Sequence, residues 1–96
     1  MKVVFGVQWI ESEFGQRYEG WALYTNAEEC VAQTKEASAK GPYPGGYIGP
    51  ERPLRMYEIP FDSLDKETQK SLEEKGRAHT ANNWQPKFKD NGTSIR

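Results

Sequence analysis

The chain has 96 residues, enough for one two-layer domain and too few for a cleft between two domains. Its net charge of −1 conceals a division, since Lys and Arg number nine against thirteen Asp and Glu (−4) in residues 1–76 and four against one (+3) in 77–96. A single cysteine excludes an internal disulfide, and one cysteine with one histidine matches no metal-ligand spacing, so three Trp, five Tyr and four Phe must supply much of an all-protein core.

Residues 3–10, V-V-F-G-V-Q-W-I, form the most apolar window, and their β-branched content predicts a buried strand. Gln8 interrupts the run, acidic residues follow it and no small-residue cleavage site appears, so it reads as a strand rather than a signal peptide. After a polar connection over 11–15, residues 16–25 alternate as a second strand and close a hairpin. That alternation assigns Trp21 and Leu23 to a helix-covered core with Phe5 and Val7. It leaves Tyr18, Ala22 and Tyr24 on an open face beside Ile10 and Met56.

Asn26 with Glu29 three residues on predicts a capped helix that presents Cys30, Val31, Thr34, Ala37 and Ser38 as a narrow small-residue stripe and stops at Gly41-Pro42. Cys30 reads as a small buried core residue, compatible with a reducing compartment and hence a cytoplasmic protein. Residues 42–53, P-Y-P-G-G-Y-I-G-P-E-R-P, predict a long exposed loop. Residues 54–61 predict a third strand, with Tyr57, Ile59 and Phe61 inward and Pro60 placing it at an edge. Residues 62–75 predict a second helix, capped by Asp62, Ser63 or Asp65, with Leu64, Thr68 and Leu72 inward and Gly76 as its stop. Beyond Arg77, only Trp84, Phe88 and Ile95 interrupt a polar stretch, which predicts a disordered tail.

The expected fold class is therefore α+β: a three-stranded antiparallel sheet of order 2-1-3 in a β-β-α-β-α chain. One helix packs on a face, a second is peripheral, and the C-terminal tail is flexible. Residues 1–76 form the domain and 77–96 the basic tail.

The residues carry little catalytic chemistry. His79 stands in polar surroundings with no nucleophile placed beside it, and the glycines at 41, 45, 46 and 49 do not sit between a strand and a helix as a phosphate loop requires. No enzyme, metal, cofactor or membrane span is expected. Gly20-Trp21-Ala22-Leu23-Tyr24 resembles the aromatic strand of RNA-recognition folds, although Glu19 stands where a basic residue belongs. With Trp84 and Phe88 among Lys87 and Lys89, that resemblance implies single-stranded nucleic-acid binding as the alternative function, opposed by the acidic body. Pro50-Glu51-Arg52-Pro53-Leu54-Arg55 fits a P-x-x-P-x-R pattern but reads as a rigid loop exit.

The leading expectation is a non-enzymatic protein-binding module, a small cytosolic accessory or inhibitor protein of the kind phages and mobile elements encode. Its partner-binding residues are Tyr43, Tyr47 and Arg52 on the loop, Tyr18, Tyr24 and Met56 on the open sheet face, and Trp84 and Phe88 on the tail. A homodimer through paired open faces is compatible with this.

Overall fold

Strand β1 (Val3–Glu13) runs antiparallel to β2 (Gln16–Tyr24) along almost its whole length, from Phe5 opposite Tyr24 to Glu13 opposite Gln16. The computed structural model describes residues 2–13, 16–40, 46–50, 54–80, 84–86 and 92–95. The strands continue through the polar stretch 11–13, and the register that follows corrects the expected phase. Gly6 faces Leu23 and Gln8 faces Trp21, so Trp21 and Leu23 share a face with Val4 and Gly6, while Phe5 and Val7 share the other with Tyr24 and Ala22.

The opposite edge of β1 is paired by two short strands in succession. Trp9–Glu13 pairs with β3 (Gly46–Pro50) and Val3–Gly6 with β4 (Arg55–Pro60), so these two act as halves of one interrupted strand. Residues 46–50 are therefore ladder rather than loop. Their glycines and proline are tolerated because β3 has β1 on one side only. A single turn of 3-10 helix, Phe61–Ser63, follows β4.

Two further strands come from the segment expected to be a tail. β5 (Arg77–His79) pairs with β2, and β6 (Thr93–Ser94) pairs with the Arg55–Met56 end of β4. Among the described residues the sheet thus has six strands in the order β5-β2-β1-β4-β6, with β3 also beside β1, and every pairing is antiparallel. The three-stranded sheet is overturned, and the described residues of the expected tail, 77–80, 84–86 and 92–95, include two of the strands that overturn it. Sparse apolar residues are enough to dock this segment: Ile95 is buried, and Trp84 meets the Trp21 ring edge-on at 6.4 Å. Gln85 Nε2 donates to Glu19 Oε2 at 3.3 Å, the carboxylate that also accepts from the buried Gln8 amide at 2.9 Å.

Helix α1 (Ala27–Lys40) starts where Asn26 Oδ1 accepts from the Glu29 N–H at 3.0 Å. It buries Cys30 against Val7, Ala22, Tyr24 and Ile95, with Phe5, Val31, Leu54 and Met56 around them. Helix α2 (Lys66–Lys75) is capped by Asp65, which accepts from the Thr68 N–H at 2.8 Å, and ends at Gly76 in the left-handed region (φ 74). It is not peripheral. Leu72 and Leu64 join Val4, Trp21, Leu23 and Ile59 in the larger core on the other face. The Gln69 side-chain amide donates to the Phe61 and Leu64 carbonyls, tying α2 to the 3-10 turn. The sheet lies between two helices, α1 on the face of Val7 and Ala22 and α2 on the face of Trp21 and Leu23. Eleven extended residues span about 36 Å, comparable to the longest dimension of the 40 × 27 × 26 Å molecule.

Candidate functional site

With a helix packed on each face, unpaired sheet backbone lies at the edges, and two cavities lie beside β5. The Thr25 N–H donates to Gly76 O and the Thr80 N–H to Trp21 O, each at 3.0 Å, while the Trp21 N–H donates to Thr80 Oγ1 at 3.0 Å. Hydrogen-bonded pairs alternate in an antiparallel ladder. Ala78 therefore bonds Leu23, and the backbone groups of Arg77 and His79 face away from β2. Ser71 Oγ donates to Arg77 O at 2.9 Å and closes that end. The His79 N–H and C=O remain on the outer edge, since β5 is the terminal strand.

A cavity lies on each side of this edge. The α1-side cavity, about 460 Å³, is lined by Trp9 and Tyr24 of the sheet, Gln33 and Glu36 of α1, Lys75 at the end of α2 and Arg77 at the start of β5. That volume falls within the range of ligand-sized clefts. The α2-side cavity, about 360 Å³, is lined by Asp65, Glu67, Thr68 and Thr80. Ser71, Ala78 and His79 border both.

Small residues shape the first cavity. Trp9 lies across from Gly20, and His79 across from Ala22, so nothing bulky on β2 separates them and their rings meet edge-on at 6.2 Å. Burial raises the Tyr24 phenol above its ordinary pKa, as do the nearby Cys30 and Glu29, against the opposing pull of Arg77. On the other side, hydrogen bonds from the Thr68 hydroxyl and N–H hold the Asp65 carboxyl below its usual range.

Of the residues expected to bind a partner, this arrangement gathers only Tyr24, and that side chain is buried rather than displayed. Tyr18 lies on the hairpin and donates to the Gln16 side chain. Met56 packs in the α1-side core, and Trp84 against the larger core. Tyr47 is placed in β3 opposite Ser12. Tyr43, Arg52 and Phe88 lie outside the described residues. Sequence reasoning missed Trp9, Ser71, Lys75, Arg77 and His79 as a group, because a three-residue strand directly after a helix is too short to show alternation. The available signal was Gly76 followed by R-A-H-T, a helix stop with one small apolar residue between polar ones.

No family model, curated protein or solved structure matches the chain. Among the described residues no cluster of His, Cys, Asp or Glu is arranged to hold a metal ion, and no helix is long and apolar enough to cross a membrane.

Proposed function

We propose that this protein is a non-enzymatic protein-binding module that takes up an extended segment of a partner along the outer edge of β5. One observation carries the reading: two cavities flank the same exposed strand edge and share Ser71, Ala78 and His79. A strand added to an edge directs alternate side chains to opposite sides, so the backbone supplies affinity and flanking pockets supply specificity. Cys30, a lone buried thiol, suits a reducing compartment and hence a cytosolic accessory or inhibitor role. The single-stranded nucleic-acid reading has less support, because, of two of its stacking rings, Tyr24 is buried in one core and Trp84 packs, partly buried, against the other.

The test is a selection of displayed random peptides against the full chain, followed by amide exchange of the complex. The expected result is peptides that slow exchange of the His79 N–H and no longer bind His79→Pro. Proline removes the donor at an outward-facing position where a strand tolerates it, so the variant should keep its fold. Binders indifferent to His79→Pro would place the interaction elsewhere.

A further inference from the structure

Resting on that edge reading, we infer that the segment taken up by β5 carries an aspartate or glutamate at the position entering the α1-side cavity, and no acid at the adjoining positions. The two cavities differ in charge. On the α1 side the lining carries two cations, Lys75 and Arg77, and a single carboxylate, Glu36, and among the described residues neither cation forms an ion pair. Arg77 acts on the Tyr24 phenol, so its charge is felt at the cavity wall. A guanidinium there offers a planar fork to a carboxylate, and Trp9 lines the same cavity.

On the α2 side, Asp65 and Glu67 line the wall, and Asp65 is held ionised by Thr68. A second acid placed there would meet two like charges. Because neighbouring residues of an added strand enter opposite cavities, the charge difference fixes which residues of the segment point each way. Ser71 occupies the Arg77 carbonyl, so the backbone pairing centres on His79, midway between the two cavities.

The experiment uses peptides from the same selection. An acid should be enriched at one position of the binders, with no acid beside it. Changing that acid to its amide should weaken binding roughly tenfold, as loss of a charge-assisted hydrogen bond would, and rising salt should weaken the parent peptide more than the amide. Selection against Lys75→Glu or Arg77→Glu should instead enrich lysine or arginine there. Lys75 is an exposed helical position, so this variant keeps the test valid if Arg77→Glu perturbs the Tyr24 contact. Binders that need His79 but show no acid preference would overturn this inference and leave the edge reading standing. Binders indifferent to His79→Pro would remove both, as would self-association through β5 with no peptide selected.

Discussion

Gly6 stands directly across from Leu23, and a Cβ placed on it would lie 2.8 Å from Leu23 Cδ2 and 2.7 Å from Ile59 Cδ1. The missing side chain is the space into which two of the most buried residues pack, beside Trp21. Gly6→Ala should therefore destabilise by about 1–3 kcal/mol, the usual cost of overpacking a core. Urea unfolding measures it. Ile59→Val in the same chain should recover part of the loss, a coupling that a double-mutant cycle would detect.

Gly20 supplies the contrast on the partner strand. Its added Cβ would meet nothing nearer than Thr80 O at 3.9 Å. Gly20→Ala should leave stability unchanged or raise it by up to about 1 kcal/mol, since alanine reduces the freedom of the unfolded chain. Thermal melts of Gly6→Ala and Gly20→Ala, measured side by side, should move by clearly different amounts.

The C-terminal segment should prove integral to the fold. Ile95 is buried, and Gly92 lies so close to the Tyr57 ring that a Cβ there would come within 2.5 Å of Cε1. Ile95→Ala should cost ~2 kcal/mol or more. Gly92→Val should release β6 from β4, seen as faster exchange of the Ile95 N–H, which donates to Leu54 O at 3.1 Å. Unchanged exchange in Gly92→Val would contradict this docking.

Cys30 should resist alkylation in the folded protein at neutral pH and react on unfolding. Burial pushes its thiol up to about 11, with the Thr34 hydroxyl pulling the other way. An unfolded thiol ionises near 8.5–9, so between there and pH 11 the folded state holds a proton that the unfolded state has lost. Stability should fall with rising pH over that window, by at most about 2–3 kcal/mol. Cys30→Ala should flatten that part of the curve, which urea midpoints at pH 8 and pH 10.5 would show.

The central strand was legible because apolar side chains recur through residues 3–10, and both helices because Asn26 and Gly76 mark ends, although three cap candidates, Asp62, Ser63 and Asp65, left the start of α2 open and residues 61–63 form a 3-10 turn before it. The phase between β1 and β2 was not. It depends on where the hairpin turns, and Glu11, Ser12 and Glu13 look like a loop although they continue the ladder beyond the core. β3 was hidden by glycine and proline, which weaken an interior strand but are tolerated at an edge. Composition also misled at the C-terminal end, because an average over a polar stretch conceals that Trp84 and Ile95 each contact a core. The candidate site combines a helix face, a three-residue edge and a tryptophan some seventy positions earlier, a proximity that only tertiary structure creates.

The interleaving of early and late strands has a consequence during synthesis. A ribosome releases β1 and β2 before the other strands of the sheet, as a ribbon apolar on both sides: Val4, Trp21 and Leu23 on one, Phe5, Val7 and Ala22 on the other. Two strands alone are marginal in water. α1 can shield one side soon afterwards, but the other waits for Leu64, Leu72, Ala78 and Trp84, and even the α1 side is completed only by Ile95. The nascent chain therefore carries an aromatic surface in search of cover until residues 84–95 have emerged, and an exposed apolar surface of that kind is what makes a partly folded chain prone to aggregation.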